Sequence, residues 1–208
     1  MTKAERIPLH TLLETTEGRK KFKHLAYAVR QGAVLVYPTE TIYGLGGVSD
    51  VCGVREKIHS IKRKASGQPL ILIAPDRSYF LKFPVVFPHT AERLALKFWP
   101  GMLTLVLPSA SDERGIGVRV SSHPFIKEIF HYIDQPLFST SANISGEPYV
   151  NDPDRIYSFF SGEIDFFIDA GPLMPSRAST VVRTAADGTV GILREGAVSS
   201  DEIYKALR

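Results

Sequence analysis

The side chains with the most chemical promise fall in three polar stretches. In YPTETIYGLG, Tyr37 to Gly46, the residues Thr39, Thr41 and Tyr43 alternate, so an extended backbone turns them to one side. Gly44, Gly46 and Gly47 let a ligand approach the main chain closely. Coming straight after the apolar run AVLV, the stretch reads either as a ligand-holding strand end or as a glycine-rich surface turn. In IKRKASGQPLIL, Lys62, Arg63 and Lys64 stand together at an expected helix end, where the helix dipole favours cations in any case. They read either as a solvated basic end or as a clamp that neutralises phosphate charge on a leaving group. In STSANISGEP, Ser139, Thr140, Ser141, Asn143 and Ser145 offer donors for phosphate or ribose oxygens, or else form an ordinary Asn/Ser/Gly turn.

Further candidates are scattered. Arg119 sits inside the apolar strand GVRV, where a buried guanidinium needs an anionic partner: a structural carboxylate or a substrate one. His123 follows, just before Pro124, in the place of a cap or a surface group. Ser179 and Thr180 begin one strand and Arg194 ends another. No GxxxxGK[ST] phosphate loop, GxSxG elbow or HExxH pair occurs, and the six His show no metal spacing, so no metal ligands are assigned. Chemistry here would rest on positioning and charge neutralisation more than on a nucleophile.

The elements that must position these groups are legible in the apolar periodicity. Phe22, Leu25, Ala26 and Val29 mark a helix that starts near Gly18 and stops at Gly32. AVLVY follows as a strand buried on both faces. A helix is expected from Asp50, as N-cap, to Ser60, and others over Thr90–Phe98, from Phe125, and from Ser200 onward. LILIA, LTLVL, GVRV, LFST, FFID, TVVR and VGIL read as strands. Helices and strands interleave, so the class is α/β with a large, mixed sheet, organised as a single domain over residues 1–208 in which residues 1–16 form a loosely packed arm. The 208 residues, 44% hydrophobic and 23% charged, suffice for a core without disulfides. One cysteine, no apolar leader and no apolar run near ~20 residues fit a cytoplasmic protein with no membrane span. The net charge of +3 permits an anionic ligand without demanding nucleic acid.

Taken in order, YPTETIYGLG, IKRKASGQPL, FWPGMLTLVL, GVRVSSHP, STSANISGEP, STVV and GILREG resemble the YrdC-like threonylcarbamoyl-AMP synthase family, in its minimal single-domain form, from about Gly32 to Gly196. The resemblance implies a twisted mixed α/β sheet flanked by helices around a basic central cavity. It implies synthesis of L-threonylcarbamoyl-adenylate and pyrophosphate from L-threonine, bicarbonate or CO2 and ATP, a nucleotidyl transfer with Mg²⁺ accompanying ATP. The product would pass to the proteins that install the N6-threonylcarbamoyl group on adenosine 37 of tRNA. By the same resemblance Lys62 and Lys64 would act on the ATP phosphates, with Ser141, Asn143 and Arg194 contacting the nucleotide. Thr39, Thr41, Tyr43, Arg119, His123, Ser179 and Thr180 would border threonine. Lys64 stands where the family usually has Arg, in Lys62-Arg63-Lys64-Ala65 for K-x-R-P. Lysine keeps the charge there without the planar fork. A second reading is a family paralogue that binds double-stranded RNA or a nucleotide without synthase activity. A third, a carbamoyl-transfer domain as used in hydrogenase maturation, belongs to much longer chains and ranks last.

Overall fold

The computed structural model describes residues 3–63, 69–174 and 177–208. In chain order the elements are β1 (Glu5–Pro8), α1 (Leu9–Glu14), α2 (Thr16–Arg30), β2 (Leu35–Tyr37), β3 (Gly44–Val48), α3 (Val54–Ile61) and β4 (Ile71–Ala74). After a 3₁₀ turn at Arg77–Lys82 come α4 (His89–Phe98), β5 (Leu103–Leu107), β6 (Ile116–Val120), α5 (Pro124–Ile129), β7 (Leu137–Ser141) and α6 (Pro153–Phe160). The chain ends with β8 (Phe166–Asp169), β9 (Thr180–Thr184), β10 (Val190–Arg194) and α7 (Ser200–Leu207).

All ten strands join one twisted mixed sheet in the order β1-β8-β2-β3-β7-β4-β6-β5-β9-β10. The expected α/β class and interleaving are therefore observed. Helix α2 buries Phe22, Leu25, Ala26 and Val29, the face its spacing predicts. It starts where the Thr15 side chain accepts from the Gly18 amide and ends before Gly32, whose φ of 96° suits glycine. Strands β2, β4 and β5 run through the core with nearly every side chain buried, which explains their unbroken apolar runs.

The structure differs from expectation in four places. Residues 1–16 were expected to pack loosely, yet β1 pairs in parallel with β8, from Glu5 opposite Phe166 to Pro8 opposite Asp169. Ile7 and Leu12 are buried, and Arg6 holds Asp169 at 2.7 Å and Asp154 at 2.6 Å. Asp50 does not cap a helix; α3 begins at Val54, after Gly53 in the left-handed region (φ 83°). Residues 38–43 of YPTETIYGLG form the turn between β2 and β3, but from Gly44 the chain re-enters the sheet as β3, a strand of three glycines, one leucine and one valine, where the sequence reads only a turn or strand end. Helix α6, capped by Asp152, was not anticipated.

The glycines of β3 have a packing cause. Tyr37 lies fully buried against Phe125, with ring centroids 5.6 Å apart. A Cβ at Gly44 would come within 3.2 Å of the Tyr37 ring, and one at Gly46 would fall on the Phe138 carbonyl oxygen of β7. Only glycine lets β3 lie between β2 and β7 over that ring. Among the described residues no helix is long and apolar enough to cross a membrane.

Candidate active site

The adjacency of β3, β7, β4, β6, β5 and β9 brings alternate side chains to one cleft of about 210 Å³. Its wall includes Thr39, Thr41 and Tyr43 from the β2–β3 segment, Ser139 and Ser141 from β7, and Thr104 from β5. Thr140 of β7, Arg119 from β6, Ser179 from the lead into β9 and Arg194 from the end of β10 complete the polar lining. Ten of the residues singled out in the sequence therefore meet: Thr39, Thr41, Tyr43, Gly44, Arg119, Ser139, Thr140, Ser141, Ser179 and Arg194.

Arg119 organises one end. It is 4% exposed, and its Nε donates to the Gly101 carbonyl at 2.9 Å. Its Nη1 donates to Thr41 Oγ1 at 2.8 Å. Thr39 Oγ1 gives its proton to the Ile42 carbonyl at 2.7 Å, so the 2.9 Å contact between the two threonine hydroxyls runs from Thr41 to Thr39. Thr39 Oγ1 also accepts from the Thr41 amide at 3.2 Å, so its hydrogen-bonding capacity is filled inside the segment, while Thr41 Oγ1, which donates to Thr39 and accepts from Arg119, keeps one lone pair. Arg119 Nη2 lies buried, 3.2 Å from Glu40 Oε2, as an ion pair. Burial pulls the Arg119 pKa down, with Glu40 as the main opposing influence, and leaves an arginine charged at any ordinary pH.

The second end is the β7 exit. Ser141 Oγ donates to Asn143 Oδ1 at 2.5 Å, and Asn143 Nδ2 donates to the Glu147 carbonyl at 2.6 Å. Lys62, 3% exposed at the end of α3, sits behind this loop. Its Nζ donates to the Ser141 carbonyl at 2.7 Å, the Asn143 carbonyl at 2.5 Å and Asn143 Oδ1 at 3.0 Å. The third end is Arg194, which donates from Nη2 and Nε to the Ser179 carbonyl at 2.8 and 3.3 Å. Desolvation lowers its pKa.

Other expected site residues stand elsewhere. Lys62 and Asn143 are one contact behind the cleft rather than in its lining. Lys64 lies outside the described residues. Thr180 is buried but not in the cleft lining: its hydroxyl donates to the Val198 carbonyl at 2.5 Å and accepts from the Gly196 and Val198 amides. His123 is the N-cap of α5, with Nδ1 accepting from the Phe125 amide at 3.2 Å, which places the ring proton of the neutral form on Nε2. Burial lowers its pKa, so the ring is neutral at pH 7. Tyr43 lines the cleft, but its hydroxyl donates to the Gly171 carbonyl at 2.9 Å and accepts from the Ala170 amide at 2.8 Å. Burial raises its pKa well above the usual phenol range.

Sequence reasoning missed Glu40, Thr104 and Ser121. Thr104 is fully buried, and its hydroxyl meets that of Ser179 at 2.8 Å. Glu40 accepts from Ser121 Oγ at 2.8 Å. The carboxylate amid the hydroxyls of PTET was the available signal for Glu40; nothing local marked Thr104.

Comparison with known proteins bears on the fold and the family. The model of the Sua5/YciO/YrdC family, described as "Telomere recombination", matches residues 27–196. Threonylcarbamoyl-AMP synthase of Bacillus subtilis is 31% identical over 199 residues, 91% of this chain and 57% of the relative. The chain thus spans little more than half the length of that relative. The crystal structure of Pyrococcus abyssi Sua5 complexed with L-threonine superposes with a TM-score of 0.85 at 28% identity, over 99% of this chain and 61% of that one. Escherichia coli YciO shares the fold, with a TM-score of 0.82 at 24% identity over 98% of this chain and all of that one. The fold, the ordered motifs and the family match together assign the chain to the Sua5/YciO/YrdC family.

Proposed function

We propose that this protein is an L-threonylcarbamoyladenylate synthase. The observation that carries the reading is the buried Arg119 guanidinium in the cleft wall beside the Thr41 hydroxyl, whose oxygen keeps a free lone pair. A cation beside a neutral acceptor suits an α-amino acid, its carboxylate on arginine and a donor group on the Thr41 oxygen. The names of the relatives, one of them solved with L-threonine, point the same way.

In this reading the threonine amine captures CO2 as a carbamate. A carbamate oxygen attacks the α-phosphorus of ATP, the bond from that phosphorus to the bridging oxygen breaks, and pyrophosphate leaves. The step needs alignment and charge neutralisation in place of a protein nucleophile. Arg119 fixes the amino acid, with Ser179 and His123 nearby and Thr180 securing the turn that follows β10. Ser141 and Arg194 hold the nucleotide, with Asn143 fixing Ser141 from behind. Lys62 braces the Ser141–Asn143 loop and, with Lys64, supplies positive charge toward the phosphates. Mg²⁺ accompanying ATP would supply further neutralisation of phosphate charge, beside Lys62 and Arg194. The product would pass, in the cytoplasm, to proteins that modify tRNA.

The test is pyrophosphate release from ATP and bicarbonate in Mg²⁺ buffer, with and without L-threonine. The expected result is release that depends on threonine and is much weaker with serine. Folded protein showing no threonine dependence would sink the reading, and RNA titration at two salt concentrations would then decide the paralogue alternative.

A further inference from the structure

We propose that Glu40 is a positioning residue for the reaction: it aims the Arg119 guanidinium and balances its charge, so that this arginine grips a single carboxylate and turns away polyanions. The identity of that carboxylate, the amino-acid substrate's, rests on the synthase reading.

A buried guanidinium is costly unless a countercharge accompanies it. Two of the contacts Arg119 makes are neutral, the Gly101 carbonyl and the Thr41 hydroxyl. Glu40 is the carboxylate beside it, at 3.2 Å from Nη2. Glu40 is itself held by the residues just after β6: Ser121 Oγ donates to its Oε2 at 2.8 Å and the Ser122 amide to its Oε1 at 3.3 Å. It stands between Thr39 and Thr41 in the chain, so this one side chain clasps the cleft-lining segment to the strand that carries Arg119.

Glu40 is not in the lining of the cleft and acts through its partner. The ion pair fixes the guanidinium and offsets its charge. Arg119 therefore presents to the cleft a cation with a discounted charge. A monovalent carboxylate satisfies such a group. A phosphate or pyrophosphate, present in the same active site, meets repulsion from Glu40. Discrimination between the amino acid and the phosphates of the second substrate follows from one carboxylate behind one arginine.

The test compares the full chain with its Glu40→Gln and Glu40→Asp variants. Glutamine keeps the size and removes the charge. The expected result for Glu40→Gln is a rise of about tenfold in KM for L-threonine, equivalent to about 1.4 kcal/mol. Its kcat should stay within about threefold, KM for ATP should barely move, and Glu40→Asp should recover part of the loss. Sulfate serves as the polyanion probe and should raise the melting temperature of Glu40→Gln more than that of the wild type, because binding to the folded state stabilises it. A merely structural role would lower the melting temperature and leave both KM values and the sulfate response alone. An active wild type with an unchanged threonine KM in Glu40→Gln overturns the proposal and spares the synthase reading. A wild type without threonine-dependent turnover sinks that reading, and the sulfate comparison still decides on Glu40: equal stabilisation of both proteins overturns it. Should Glu40→Gln not fold, Ser121→Ala removes one hold on the carboxylate. A threonine KM raised about threefold supports the proposal and an unchanged one overturns it.

Discussion

Lys62 and Asn143 are locked together: the Lys62 Nζ donates to the Asn143 carbonyl at 2.5 Å and to its Oδ1 at 3.0 Å, while the Ser145 amide donates back to the Lys62 carbonyl at 3.2 Å. The end of α3 and the β7 exit loop thus share one buried ammonium. A lysine proposed to face phosphate thus holds the shape of the loop whose serine lines the cleft.

Lys62→Met keeps the length and apolar stem but strips the donors from the Ser141 and Asn143 oxygens. Each buried acceptor left without a partner costs about 1–3 kcal/mol, so urea unfolding should show a loss of that order. KM for ATP should rise with it, since Ser141 and Asn143 lose their support. Lys62→Arg should not restore either property, because a planar fork cannot reach the same three oxygens. Unfolding curves and ATP titrations that match the wild type would refute the bracing role.

Gly46→Ala tests why β3 is built from glycine. The added Cβ would land on the Phe138 carbonyl oxygen and lie 3.2 Å from the Tyr37 hydroxyl, so β3 and β7 must separate. Overpacking of this kind costs about 1–3 kcal/mol, read as a lower melting temperature. Gly53→Ala has open space around its Cβ and a φ of 83°, so its penalty is backbone strain alone, about 1 kcal/mol. Equal losses from the two variants would mean that contact with β7 is not what requires glycine at position 46.

Much of this architecture could be read from local pattern, and the exceptions share a cause. The face of α2 followed from Phe22, Leu25, Ala26 and Val29 because helical packing repeats every few residues. β1 and β3 did not follow. Glu-Arg-Ile-Pro acquires strand geometry from β8, about 160 positions away, and Gly44–Val48 acquires it from the ring of Tyr37 and its neighbours. At the site, residue types marked the cleft wall, but contacts across the sheet decided orientation. Thr39 and Thr41 were legible by residue type, but a turn held by Thr39 Oγ1, not an extended alternation, brings their hydroxyls together. Glu40 stands between them, and its partners Arg119 and Ser121 lie about 80 positions along the chain.

His123 gives a pH signature. Burial pulls its folded pKa below its ordinary value of 6.5, while the unfolded chain titrates near that value. Between the two, the unfolded state binds more protons, so stability rises with pH through the window. The contribution is complete above pH 6.5 and is lost as pH falls from there through the folded value. His123→Asn keeps an N-cap acceptor for α5 without a titrating ring. Denaturation midpoints measured from pH 8 to pH 5 should fall less steeply in the variant than in the wild type. Parallel profiles would show that His123 does not contribute to the acid limb.

Ser179 and Thr180 are neighbours with opposite duties, and a pair of substitutions separates them. Ser179 lines the cleft, its hydroxyl meeting Thr104 at 2.8 Å and its carbonyl accepting from Arg194. Thr180 points its hydroxyl at the turn after β10, donating to Val198 and accepting from the Gly196 and Val198 amides. Thr180→Val preserves shape and leaves two buried amides and one carbonyl without that partner. A stability loss of about 1–3 kcal/mol is expected, with the threonine KM nearly unchanged. Ser179→Ala should cost about 1 kcal/mol or less in stability, because Thr104 loses one hydroxyl contact, while raising the KM of a substrate by several-fold. The ratio of the kinetic to the stability effect is the readout. If Thr180→Val instead raises the threonine KM as Ser179→Ala does, the turn it secures carries part of the site, and the cleft extends past Arg194 toward Val198.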